Sequence, residues 1–166
     1  MRMKLLSVFA VVALLAACET APTDGQAGAG TGGVQSTTAP APAPAGPTPG
    51  TNEDFVVNVG DRVFFAFDSS ELTAEARTTL EKQAFWLRKY PQTTVTLEGH
   101  CDERGTREYN LALGERRAAA ARDYMVSLGV DPSRVTTISY GKERPAVLGS
   151  NEEAWAQNRR SVTVIN

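Results

Sequence analysis

Between Asp54 and Ile165 the apolar positions recur in two different rhythms. Phe55–Val57 and Arg62–Phe67 read as strands on either side of an Asn-Val-Gly-Asp turn. The period then lengthens. Ala76, Leu80, Ala84 and Leu87 fall on one helical face, which predicts a helix capped by Thr73 and running to about Lys89, where Tyr90-Pro91 stops it. Thr94–Glu98 returns to strand spacing. A second helix is expected from about Arg107 to Leu128, with Leu113, Arg117, Ala121, Tyr124 and Leu128 on one face and Gly129 closing it. Val135–Ser139 reads as a third core strand, Asn151–Ala156 as a short helix and Ser161–Ile165 as a last strand. The order β-α-β-α-β-(α)-β predicts an α/β (α+β) two-layer sandwich, its helices packed on one face of a small mixed sheet. Residues 54–166 suffice for one core.

Arg117 breaks the apolar stripe of the second helix. A guanidinium there needs an anionic partner, and the nearest by chain path is Asp102, at the tip of the strand VTLEGH. Without a ligand the two are expected to pair with each other. Together they suit a zwitterion, the carboxylate taking an ammonium and the guanidinium fork taking a carboxylate. The alternative is a structural salt bridge that holds loop to helix. Asn110 lies in the first turns of the same helix, beside Asp102 if the loop is compact.

The chain has 166 residues and a net charge of −2, which gives no footprint for nucleic acid. Catalysis finds little support. His100 is the only histidine, and on a strand it would face away from Cys101, so the two cannot form a Cys–His pair. Neither metal-ligand spacing nor a glycine-rich phosphate loop is present, and no cofactor is expected. A hydrolase carboxylate pair can be imagined from Asp68 and Asp102, but nothing in the pattern singles it out. Trp86 and Trp155 read as packing residues rather than sugar platforms.

The N-terminus is of another kind. Arg2 and Lys4 precede an apolar run, Leu5–Leu15, too short to span a bilayer, and Ala16-Ala17 precede Cys18. Residues 1–17 are expected to be a signal peptide. Leu15-Ala16-Ala17-Cys18 resembles the bacterial lipobox, which implies a lipid on Cys18. Residues 18–53 then form a tether: Glu19–Thr51 is rich in Ala, Pro, Gly, Thr and Ser and has almost no large apolar residue, so it is expected to be disordered. As a coil it would span roughly 30 Å, and fully stretched about 110 Å. With Cys18 acylated, Cys101 has no partner and is expected to be buried.

Four blocks in one order carry a resemblance. FAFDSSEL at Phe65–Leu72, EGHCDERGTREYNLALGERRA at Glu98–Ala118, SYGKERPAVLG at Ser139–Gly149 and NRR at Asn158–Arg160 closely resemble the OmpA-like peptidoglycan-binding domain family, in its peptidoglycan-associated lipoprotein branch. The resemblance covers about Asp61 to Asn166. It implies that Asp102 and Arg117 grip meso-diaminopimelate of the peptidoglycan stem, that Asn110 orders the loop and touches ligand, and that Phe67-Asp68 line the same pocket. It further implies a non-catalytic lipoprotein, anchored in outer-membrane lipid and facing the periplasm. Such a protein tethers the outer membrane to the cell wall and works with TolB and other Tol proteins in envelope integrity and cell division. A peptidoglycan hydrolase, or a family lipoprotein without Tol involvement, are the alternatives.

Overall fold

The computed structural model describes residues 46–166. The expected signal peptide 1–17, Cys18 and the tether up to residue 45 lie outside the described residues. The chain enters through a turn at Thr48–Thr51, where the Thr51 hydroxyl donates to the Thr48 carbonyl at 2.7 Å. Helix α1 (Asn52–Asp54) runs directly into a π-helical turn, Phe55–Val59. The strand expected at Phe55–Val57 is therefore absent. Thr51 caps this segment, and Asp54 accepts from Gly50 N (2.9 Å), Asn58 Nδ2 (2.8 Å) and Trp86 Nε1 (2.8 Å). Those bonds hold the Asp54 carboxyl at about 2, below its ordinary value. Phe55 is buried edge-on against Trp86, while Val56 and Val57 remain exposed. A capped turn with one buried anchor has won over β propensity.

The remaining elements are β1 (Arg62–Phe64), α2 (Ala74–Lys89), β2 (Val95–His100), α3 (Arg107–Ser127), β3 (Val135–Gly141), α4 (Glu152–Asn158) and β4 (Arg160–Ile165). Thr73, Thr106 and Asn151 cap the last three helices through their side-chain oxygens. The sheet order is β1-β4-β2-β3. β4 is antiparallel to both of its neighbours, and β2 and β3 run parallel. The expected two-layer α/β sandwich is the observed fold. Ala76, Leu80, Ala84 and Leu87 of α2 all enter its core, with Val95 and Leu97 of β2 and Ala118, Ala121 and Met125 of α3. Along α3 the buried stripe ends on Met125, and Tyr124 and Leu128 only flank the core.

The approach of α3 to the sheet is set by two glycines. A Cβ on Gly99 of β2 would overlap the carbonyl oxygen of Gly114 and stand 2.5 Å from its carbonyl carbon. Only hydrogen at both positions lets backbone meet backbone. This contact holds the first half of α3 against the end of β2, where the chain turns into the Cys101–Thr106 loop.

His100 closes β2 beside Tyr140, with 2% of its surface exposed and no hydrogen-bond partner on either ring nitrogen. Burial first, and then the charges of Arg160, Arg144 and Arg62, push its pKa down to about 4. Glu98 stands 3.6 Å from Nε2, beyond hydrogen-bond reach. An unfolded histidine titrates near 6.5, so the unfolded chain binds the extra proton first. Stability contributed by neutral His100 is complete above that value and is lost as the pH falls toward 4. Between pH 7 and 5 the loss should be about 2 kcal/mol. Urea melts of wild type and His100→Leu across that range check it: the variant should show a flatter dependence, and equal slopes would refute the assignment.

Candidate functional site

The loop between β2 and α3 is built around Asp102. Its Oδ1 accepts from the Arg104 backbone N–H at 3.1 Å. Its Oδ2 accepts from Arg104 Nη2 at 2.6 Å and Arg159 Nη1 at 3.4 Å. Burial opposes its ionisation, since only 3% of Asp102 is exposed, but the bonds from Arg104 and Arg159 prevail and keep the carboxyl below its ordinary range. Gly105, at φ 90°, turns the chain back toward α3. Asn110 Nδ2 then ties the loop shut by donating to the carbonyls of Arg104 (2.8 Å) and Thr106 (3.1 Å). The loop-ordering role expected of Asn110 is thus visible in its hydrogen bonds. Cys101 is buried, as expected, and its thiol reaches the Asn110 carbonyl at 3.3 Å.

Arg117 lies beneath the loop, 1% exposed. Its Nε donates to Ser69 O at 2.8 Å, its Nη1 to His100 O at 2.8 Å and its Nη2 to Ala66 O at 3.1 Å. It therefore pins the β1–α2 loop to the end of β2. The pairing of Asp102 with Arg117 expected without ligand does not occur. Arg104, two residues from Asp102, takes its carboxylate, while three carbonyls cradle Arg117 in place of an anion. A guanidinium has five N–H groups. Three are given to these carbonyls, and the Cys101 thiol lies beside the same guanidinium. Burial pushes the Arg117 pKa down from its ordinary value, so an anionic partner in the cavity would favour its charged form.

Phe67 and Asp68 come from the β1–α2 loop. Phe67 is 59% exposed, so it is no core residue. Asp68 adopts φ 51° and accepts from the Tyr109 hydroxyl on α3. Phe67, Asp68, Asp102, Asn110 and Arg117 all line one cavity of about 150 Å³, with Cys101, Arg104, Gly105, Tyr109 and Leu113. Every residue expected at the pocket is brought to it.

Sequence reasoning missed three contributors. Arg104 lies flat between Phe67 and Trp155, its guanidinium carbon 4.0 and 4.1 Å from the two ring centroids. Trp155 thus stacks on a residue of the cavity wall, and its indole N–H reaches Glu103 at 3.1 Å. Arg159 joins Asp102 to Phe65 O (3.1 Å) and Glu152 (2.6 Å). In DERG a basic residue two places after Asp102 hinted at Arg104. No local signal links Arg159 to Asp102 from the far end of the chain. Among the described residues no group of three His, Cys, Asp or Glu side chains could hold a metal ion, and no helix is long and apolar enough to cross a membrane.

Comparison with known proteins extends this picture. The OmpA family model matches residues 64–159. The chain is 61% identical over 119 residues to the peptidoglycan-associated lipoprotein of Brucella melitensis, covering 72% of this chain and 71% of that protein. It is 55% identical over 97 residues to the protein of the same name from Pseudomonas aeruginosa, covering 58% and 57%. Among solved structures it is similar to the peptidoglycan-associated lipoprotein of Burkholderia pseudomallei, with 42% identity and a TM-score of 0.63 over 64% of this chain and 90% of that one. The C-terminal domain of Helicobacter pylori MotB shares the fold, with 20% identity and a TM-score of 0.60 over 64% of this chain and 84% of that one.

Proposed function

The chain belongs to the OmpA family, in the branch of the peptidoglycan-associated lipoproteins, and on that premise we propose that it binds peptidoglycan non-covalently through the cavity at Asp102 and Arg117. One observation carries the reading: a buried carboxylate, Asp102, and a buried guanidinium, Arg117, line the same small cavity. The distal end of meso-diaminopimelate carries an ammonium and a carboxylate on one carbon. Asp102 suits the first, and the fork of Arg117 suits the second. Asn110 keeps the loop in register, while Phe67 and Asp68 wall the entrance. A Lys-type stem lacks the distal carboxylate and would leave Arg117 unanswered.

The site works by binding rather than by catalysis. A hydrolase needs a carboxylic acid with a raised pKa to protonate its leaving group, whereas Asp102 is held ionised by two arginines. The relatives named above carry the name of peptidoglycan-associated lipoproteins. We further place the protein at the outer membrane, anchored by lipid on Cys18, with TolB and other Tol proteins as partners in constriction at division. Capture of TolB by the purified chain tests that partnership.

Cosedimentation with sacculi is the direct test of the binding function. The chain should pellet with diaminopimelate-type sacculi and much less with Lys-type sacculi; equal pelleting with both would sink the proposed chemistry. For the anchor, Cys18→Ser should abolish incorporation of labelled palmitate and move the protein out of the membrane fraction. Retention of both properties would show that Cys18 is not the attachment point.

A further inference from the structure

We propose that Arg104 is an internal occupant of the cation position on Asp102, and that a ligand ammonium enters by exchange with it. The inference rests on the binding function proposed above and adds the step that must come first. Oδ2 of Asp102 is fully taken, by Nε and Nη2 of Arg104 and by Nη1 of Arg159, while Oδ1 accepts from the Arg104 backbone. A ligand ammonium can take the Oδ2 position only if one guanidinium leaves it.

Of the two arginines on Asp102, Arg104 is the one free to move. The Arg159 side chain is 8% exposed and is fixed by the Phe65 carbonyl and by Glu152 at 2.6 Å. The Arg104 side chain is 31% exposed and donates to no other group besides Asp102. It also has somewhere to go. Its Nη1 already stands 3.9 Å from Glu152 Oε2. A small slide between the faces of Phe67 and Trp155 would carry it from one carboxylate to the other without losing the aromatic stack, which favours a cation at either end. The empty site is thereby kept neutral, and the buried carboxylate is never left bare. The cost is competition, since apparent affinity falls by the fraction of molecules in which Arg104 sits on Asp102.

Calorimetric titration of the full chain in detergent with free meso-diaminopimelate separates the possibilities. Arg104→Gln should bind roughly five- to thirty-fold more tightly than wild type, because the competitor is removed. Asp102→Asn should lose binding. In wild type the Arg104 Nε–H resonance, identified by its disappearance in Arg104→Gln, should shift on saturation, while that of Arg159 stays in place. If wild type binds and Asp102→Asn does not, but Arg104→Gln binds no tighter or the Arg104 resonance does not move, the exchange is wrong and the binding site stands. If neither wild type nor Arg104→Gln binds, both the site and the exchange are wrong.

Discussion

Gly99→Ala should remove a large part of the fold's stability, more than any other single methyl added to the sheet. The added methyl would overlap the Gly114 carbonyl, and the atoms it meets are backbone in the middle of α3. Neither element can retreat cheaply. β2 lies between β4 and β3, and α3 buries Ala118, Ala121 and Met125 in the core. Overpacking of a core usually costs ~1–3 kcal/mol. A clash against backbone on both sides belongs in the rarer class above about 4 kcal/mol, against a total stability of ~5–15 kcal/mol. Gly114→Ala should be milder. Its methyl first meets the Ser139 hydroxyl, which can rotate, although Gly99 O at 2.9 Å also resists it. Urea denaturation of the two variants, followed by circular dichroism, checks the ranking. A Gly99→Ala protein as stable as wild type would mean that α3 does not sit on the sheet as described.

Loss of Asp102 should be the most damaging change for binding. Asp102→Asn removes the charge that answers an ammonium, at an expected cost of about 2–5 kcal/mol. That is roughly 30-fold to several thousand-fold in affinity for diaminopimelate-type sacculi. Arg117→Ala should abolish binding as well, but it also strips the partners from the carbonyls of Ala66, Ser69 and His100. Breaking such a buried set costs about 3–5 kcal/mol of stability, so that variant confounds binding with folding. Arg117→Lys cannot reach three diverging carbonyls and offers no fork, so it too should fail. Asp102→Asn is therefore the decisive variant, with circular dichroism confirming its fold and cosedimentation measuring its affinity. A folded Asp102→Asn chain that pellets like wild type would reduce Asp102 to a loop-ordering residue.

The parts of the fold legible in the sequence were those governed by local chemistry. α2 announces itself by its capping Thr73 and α3 by its three- and four-residue steps, and both begin where expected. The short helix was expected at Asn151–Ala156. The structure caps it with Asn151 and runs it from Glu152 to Asn158. Phe55–Val57 was misread because three apolar residues after a turn look like a strand, while the Asp54–Trp86 hydrogen bond that favours a helical turn joins residues far apart in the chain. Phe65–Phe67 fell out of β1 for a related reason. The backbone there answers Arg159 and Arg117 rather than a strand neighbour, through Phe65 N and the carbonyls of Phe65 and Ala66. Asp102, Asn110 and Arg117 were legible because DERG and its following helix form one continuous segment. Who pairs with whom was not. That Arg117 sits on carbonyls and Asp102 on Arg104 and Arg159 depends on three loops meeting, and no spacing along the chain encodes it.

The order β1-β4-β2-β3 places the last strand of the chain at the interior of the sheet. A polypeptide still emerging from the ribosome, or still threading through a translocation channel, lacks Arg160–Ile165. Until they arrive, β1 has no partner in the sheet and β2 has only one. Completion of the sheet therefore waits for Arg160–Ile165, a long-range closure that slows folding. For a chain proposed to cross a membrane before it works, this delay is protective: the sheet cannot close behind a translocating strand. It also means that a chain cut before Arg160 should leave β1 without a partner and β2 with only β3.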